Sequence, residues 1–305
     1  MRFKHNERLE NLRSHLLEMA ELLTGLDMSD INIFSNLADH GFVGYSARVS
    51  PLGLGILLKH DLIESIEEDQ MRTINDCQKQ STDVDWGLER TNNQNFTSTR
   101  SGYEYEYSTG ATGAGVDAYV IDTGIYCDNN DFVNKKVGSC SFGYSAVTDI
   151  RGQVDETDGN GHGTHVSGTI GGQTYGVAKE VDLIAVKVMN DKGSGSSSDI
   201  LSGIDWVVGN AKKTKKPSVA NLSIGGGFSQ AENDAIKAAT DANVVMVVAA
   251  GNEDSDACDG SPGSEPSAIT VAASDDKNKR ASYSNWGSCV DVFGPGSDIT
   301  STWID

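Results

Sequence analysis

Two apolar runs that end abruptly in a polar residue constrain the fold more than any other feature. Val116 to Ile121 ends at Asp122, and Val244 to Ala250 is followed by Gly251 and Asn252. Runs this short, rich in valine and bounded by turn residues, read as strands. Neither alternates with polar residues, so both faces need cover, as in parallel sheets flanked by helices. Val181 to Met189 is a third run of the same kind. A helical stretch, Asp199 to Val208, follows it, with Ser197 or Ser198 placed to cap the helix. The alternation predicts an α/β fold, a doubly wound, mostly parallel sheet with helices on both faces. Sites in such sheets lie beyond the carboxyl ends of the strands. Asp122 and Asn252 are therefore expected at one edge despite their separation in sequence.

A histidine boxed in by glycines supplies the third piece. Asp158 to Gly172 reads DGNGHGTHVSGTIGG, with His162 at the expected start of a helix. Val166 and Ile170, four apart, give that helix a buried face. A ring nitrogen at a helix start, without bulky neighbours, is suited to proton transfer. His165 lies three residues on, but the pair lacks the HExxH spacing and its glutamate, so it is expected to be structural and not a zinc ligand.

The motifs VIDTGI, GNGHGTHVSGTIGG, NLSIGGG and AAGNE, with DWGL at Asp85 to Leu88 and VDVFGPGSDITSTWI near the end, resemble the subtilisin-like serine peptidases, closest to the proteinase K branch. The resemblance runs from roughly Phe34 to the last residue. Asp before His is the chain order known for subtilisin. The resemblance implies that Asp122 orients His162, that His162 is the general base, and that Asn252 donates to the oxyanion. It also implies two segments that pair with an extended substrate backbone: Gly193, Ser194 and Gly195, and Ser223, Ile224, Gly225 and Gly226. Ala249, Ala250, Gly251 and Gly225 would form an uncharged wall, which favours apolar or aromatic P1 residues. Two further implications are a Cys258–Cys289 disulfide and a structural calcium ion held by the carbonyls of Pro266 and Ala268 and the carboxylate of Asp291.

The first residues lack the apolar core of a signal peptide. Leu9, Leu12, Leu16, Met19 and Leu23 fall at helical spacing among charges, an amphipathic pattern. A strand pattern in GFVGYSARVS, a short helix in LGLGILLKHDL and another strand in IESIEEDQ follow. Together they resemble the inhibitory propeptide of these peptidases, a small α+β ferredoxin-like domain. Residues 1–75 are expected to form it, with cleavage between Asn75 and Asp76, and residues 76–305 to form the peptidase domain. From Trp86 to Gly115 the chain is polar and reads as irregular surface wrapping, with a glycosylation sequon at Asn95. A second sequon, at Asn221, lies in an apolar strand and is discounted. The stretch between Asp122 and His162 is longer than the family pattern and reads as a surface excursion.

A net charge of −20 argues against a nucleic-acid surface. No apolar stretch reaches the ~18 residues that span a membrane. None of the five cysteines has zinc spacing. Cys127 and Cys140 flank the excursion and are one candidate pair; the pairing of Cys77, Cys127 and Cys140 is left open. Disulfides point to an oxidising, secreted setting, with vacuolar or lysosomal compartments also compatible. A monomer is expected. No GTSMA-type serine motif occurs in the sequence, and Asp305 follows soon after STWI. The expectation is a chain truncated at both ends: a zymogen fragment of a serine endopeptidase, acting on peptides or proteins and restrained by its own propeptide. The alternative is a non-catalytic peptide-binding pseudoenzyme or a propeptide-type protease inhibitor.

Overall fold

The chain divides by its internal contacts into two units, Met1–Ile74 and Asn75–Asp305. The structure, a computed structural model, describes residues 2–3, 14, 32–33, 45–47, 49–66, 77–93, 96, 102–149 and 151–304.

In the first unit, β1 (Arg2–Phe3), β2 (Asn32–Ile33), β3 (Tyr45–Ser46) and β4 (Ile63–Ser65) form two antiparallel pairs, β1 with β4 and β2 with β3. Helix α1 (Pro51–Leu57) begins with proline at its first position, where no N–H is needed. The Ser50 hydroxyl caps it by accepting from Gly53 N at 3.2 Å. Leu57 is buried against Val49, Ile63 and Ile66. The amphipathic pattern from Leu9 to Leu23 lies outside the described residues, save Ser14, which is helical.

The second unit opens with β5 (Cys77–Gln80), helix α2 (Trp86–Arg90) and β6 (Tyr105–Ser108), with β5 and β6 antiparallel. Among its described residues, the stretch from Trp86 to Gly115 read as irregular thus carries a helix and a strand. Its aromatics follow no period but each finds a partner: Trp86, Leu88, Phe96 and Tyr105 are buried, and the Trp86 and Phe96 rings lie 5.7 Å apart. Asn95 lies outside the described residues.

The remaining strands are β7 (Asp117–Asp122), β8 (Cys140–Ser145), β9 (Asp182–Lys187), β10 (Ser218–Leu222), β11 (Gly226–Gly227), β12 (Val244–Ala249), β13 (Gly260–Ser261), β14 (Ile269–Ser274) and β15 (Val292–Pro295). Seven form one parallel sheet in the order β15-β14-β12-β10-β7-β9-β8, and β11 pairs antiparallel with β13. The stretch expected as a surface excursion thus supplies the edge strand β8. Its half-exposed edge position weakens the apolar pattern that would have marked it as a strand.

Helices α3 (Asn130–Val133), α4 (His162–Gly171), α5 (Ser197–Thr214) and α6 (Gln230–Asp241) complete the unit. The cap of α5 is Ser196, one residue before the serines expected, because Asp199 closes a capping box with it. Side chains of β7 alternate between two cores. Tyr119 and Ile121 pack with Ile200, Ile204 and Val207 of α5 and Ile236 of α6. Ala118 and Val120 pack with Leu183 and Ala185 of β9 and with Val166 and Ile170 of α4. Full burial of each large aliphatic contributes about 1.5–3 kcal/mol, which explains why the strand carries no polar face.

From β7 the chain moves to β8 and β9 on one side, then crosses to β10 on the other. Neighbours β7 and β10 thus diverge at their carboxyl ends, the switch point where such sheets form crevices. Asp122 closes β7 there, and Asn252 follows the end of β12 on the same edge.

Candidate active site

Asp122 is fully buried at the end of β7. Its Oδ1 accepts from Thr123 N at 2.7 Å and from His162 Nδ1 at 2.7 Å. A carboxylate only accepts, so Nδ1 carries the proton and the Nε2 of the neutral ring is left as an acceptor. The His162 side chain is half-exposed, with Nε2 free of partners among the described residues. Its pKa is raised above the usual histidine value, first by the hydrogen bond to Asp122, against the opposing effect of burial, and further by the charges of Asp122 and Asp158.

The helix start is held by a second buried carboxylate. Asp158 Oδ1 accepts from Thr123 Oγ1 at 2.9 Å, Gly161 N at 2.9 Å and Asn160 N at 3.1 Å. Its Oδ2 accepts from Thr164 N at 3.0 Å and Thr164 Oγ1 at 2.6 Å. Asp158 thereby satisfies amides at the N-terminus of α4, where negative charge is also favoured by the helix dipole. Thr123 Oγ1 in turn accepts from Gly163 N at 2.9 Å, which ties the Asp122 turn to the helix. Two glycines of the box have steric reasons. Gly161 has φ of 98° with the Trp303 indole over its Cα, and a Cβ on Gly163 would strike the carbonyl oxygen of Gly124.

Asn252 lies exposed after Gly251, whose φ of 103° turns the chain away from β12. Among the described residues its side-chain amide has no hydrogen-bond partner, and its backbone N donates to Glu253 Oε2 at 2.8 Å. Asn285 braces this turn. Its Oδ1 accepts from Glu253 N at 2.9 Å and Ser255 N at 3.1 Å, and its Nδ2 donates to Ala250 O at 2.9 Å and Glu253 Oε2 at 2.8 Å.

Gly193 and Ser194 lie in a turn closed by Asn190 N to Ser194 O at 2.9 Å and Gly193 N to Asn190 O at 2.8 Å, and Gly195 follows it. Among the described residues, the backbone groups of Ser223, Ile224 and Gly225 engage no hydrogen-bond partner. Gly226 pairs with Ser261 through β11 and β13, so its backbone already has a protein partner on one side. Ala249 ends β12 and Ala250 and Gly251 follow it, with Ala250 buried and the other two partly exposed.

Asp291 Oδ2 accepts from Thr270 N at 2.8 Å, which sets this exposed carboxylate beside the strand that follows Pro266 and Ala268. Among the described residues, no three His, Cys, Asp or Glu side chains group as a metal site. His165 Nε2 donates to Ile299 O at 3.0 Å, so this ring anchors the segment carrying Trp303. Two disulfides are formed, Cys258–Cys289 and Cys127–Cys140, each with Cα atoms 5.4 Å apart. Asn75 and Asp76 lie outside the described residues, as does the side chain of Cys77.

Residues 113–304 match the model of the Subtilase family, Peptidase_S8. The chain belongs to the subtilase family. It is 40% identical over 301 residues to a cuticle-degrading serine protease of Arthrobotrys oligospora, covering 98% of this chain and 70% of that protein. It is 41% identical over 270 residues to alkaline serine exoprotease A of Vibrio alginolyticus, covering 88% of this chain and 48% of that protein. The chain thus spans from about half to 70% of these relatives' lengths. A solved structure of a cold adapted subtilisin-like serine proteinase aligns with a TM-score of 0.64 at 44% identity, over 73% of this chain and 76% of that one. The fold of this subtilase is subtilisin-like. Its site also relies on residues that motif reading passed over: Thr123, Asp158, Glu253 and Asn285. Asp158 had a local signal, an acidic residue just ahead of a helix start. Asn285 had none, since its partners lie about 30 positions away.

Proposed function

We propose that this subtilase chain is part of a secreted serine endopeptidase zymogen whose nucleophile is encoded beyond Asp305. In this reading a serine attacks the peptide carbonyl and His162 Nε2 takes its proton. Asp122 holds the ring in the tautomer with Nδ1 protonated and stabilises the imidazolium that forms. The free amide of Asn252 meets the oxyanion. The substrate backbone pairs with Gly193, Ser194 and Gly195 on one side and with Ser223, Ile224, Gly225 and Gly226 on the other. Ala249, Ala250 and Gly251 line an uncharged pocket for apolar or aromatic P1 side chains. Residues 1–75 serve as the inhibitory propeptide, released by cleavage between Asn75 and Asp76.

The observation that carries this reading is the 2.7 Å bond from His162 Nδ1 to Asp122 Oδ1, with the other ring nitrogen unpartnered at a crevice edge. The unengaged backbone of Ser223, Ile224 and Gly225 supports the substrate-pairing part. A structural calcium ion fits the oxygen donors of Pro266, Ala268 and Asp291, since hard oxygens suit that ion, and it would cross-link the two segments there.

The test is to sequence the transcript past both ends and express its full reading frame. The reading predicts a GTSMA-type serine soon after Asp305, labelled by a fluorophosphonate only when His162 is intact. A frame that closes at Asp305 would overturn it in favour of a non-catalytic peptide binder or inhibitor.

A further inference from the structure

Lys187 ends β9 in register with Asp122 of β7, and its side chain is 1% exposed. The ammonium donates to Thr123 O at 2.7 Å and to Asp191 Oδ1 at 3.1 Å, and lies 3.4 Å from Asp155 Oδ2. Three segments therefore meet at one buried cation: the turn after Asp122, the approach to the glycine box, and the turn before Gly193.

These contacts close a ring. Asp191 O accepts from Asn160 Nδ2 at 3.0 Å, and Asn160 Oδ1 accepts from His162 N at 3.2 Å. His162 returns to Asp122 through Nδ1, and Asp122 to Thr123 through its amide. The circuit runs His162, Asp122, Thr123, Lys187, Asp191, Asn160 and back to His162. The residues just after Lys187 clamp the same strand end, since Val188 N and Met189 N donate to Asp122 O at 2.9 and 3.1 Å.

A buried ammonium has three donors and no acceptor, and here each has an oxygen to face. Desolvating it costs several kcal/mol, offset only while those oxygens stay in place. A shift of Thr123 or of Asp191 strands the charge, so the two turns are held to one arrangement.

We propose that Lys187 is a positioning residue for the Asp122–His162 pair, and that through Asp191 and Asn160 it couples that pair to the turn leading into Gly193, Ser194 and Gly195. The catalytic meaning of this rests on the proposed function; the positioning itself does not require the serine.

The test uses the 305-residue chain and the NMR signal of the His162 Nδ1 proton, whose neighbours Asp122 and Asp158 carry the local negative charge. Lys187→Met removes both the charge and the donor. Lys187→Gln removes the charge but keeps an amide donor for Thr123 O. Positioning predicts that the methionine variant exchanges this proton with water about tenfold faster, the weight of one lost hydrogen bond, while the glutamine variant stays near wild type. Equal acceleration in the two variants, which share only the lost charge, would overturn the proposal in favour of a charge effect, and a proton as protected in both as in wild type would overturn it outright. Should the methionine variant fail to fold, Asp191→Ala opens the ring at a half-exposed residue. Faster exchange there supports the coupling, and unchanged exchange overturns it. An open frame without a serine would sink the peptidase reading yet leave this result untouched.

Discussion

Nδ1 of His162 and Oδ1 of Asp122 meet at 2.7 Å, although 40 positions separate the residues in sequence. One residue ends a buried strand, and the other begins a helix that packs Val166 and Ile170 against Ala118 and Val120 of that same strand. The bond raises the histidine pKa, and that sets a pH dependence.

Asp122→Ala should bring the His162 pKa down towards the ordinary histidine value of 6.5. The sign follows from linkage. A folded pKa raised above the unfolded one gives stability that is complete below about 6.5 and fades as pH rises through the folded value. The proton-linked part of the difference between wild type and variant should therefore be larger at pH 5 than at pH 9. An imidazole NMR titration and denaturant melts at both pH values check this; an unshifted His162 would refute it.

Asn252→Ala should leave the fold intact. The side chain is exposed and has no partner among the described residues, so the stability change should stay within about 0.5 kcal/mol. If Asn252 is the oxyanion donor of the proposed function, turnover of the full-length protein should fall by about 10²–10³ with KM little changed, the magnitude known for such a donor in subtilisin. Matched melts and steady-state kinetics separate the two effects.

Asn285→Ala should behave in the opposite way. It leaves Glu253 N, Ser255 N and Ala250 O without their buried partner, at a cost of about 1–3 kcal/mol for each group that water cannot reach. Amide exchange should quicken first at Glu253 and Ser255. Protection unchanged at both would show that the turn holds itself.

The two disulfides should differ in worth. They close segments of 13 and 31 residues. Loop entropy alone then makes Cys258–Cys289 the more stabilising by about 0.8 kcal/mol. Pairwise serine variants, Cys127→Ser with Cys140→Ser and Cys258→Ser with Cys289→Ser, compared by urea titration, give the order directly.

Calcium removal offers a further check. With Pro266, Ala268 and Asp291 as ligands, a chelator should lower Tm in wild type, and Asp291→Asn should blunt that response. A chelator shift of equal size in both would place the ion elsewhere.

The Asp122 and His162 motifs were legible because each is a local pattern. An apolar run ending in a polar residue, and a histidine among glycines, can be read without knowing what lies across the sheet. Edge strand β8 was not legible. An edge strand exposes half its surface, so Cys140–Ser145 shows neither a clean alternation nor an unbroken apolar run. The stretch after Trp86 failed for a related reason: Phe96 and Tyr105 become core residues only through partners distant in sequence, such as the Val177 carbonyl that accepts from the Tyr105 hydroxyl at 2.9 Å.

The sequence by itself determined the central strands β7, β9 and β12, the helices α4 and α5 that cover them, and the residue types that can transfer a proton. Those are properties of periodicity and side-chain chemistry, and hydrophobic burial needs no particular partner. Only the tertiary structure decided that Lys187 donates to the turn beside Asp122, that Asn285 braces the turn carrying Asn252, and that Trp303 covers Gly161. A hydrogen bond demands its partner within about 3 Å and a narrow angle, and packing demands matched shape. Both conditions exist only after the chain has brought distant segments together.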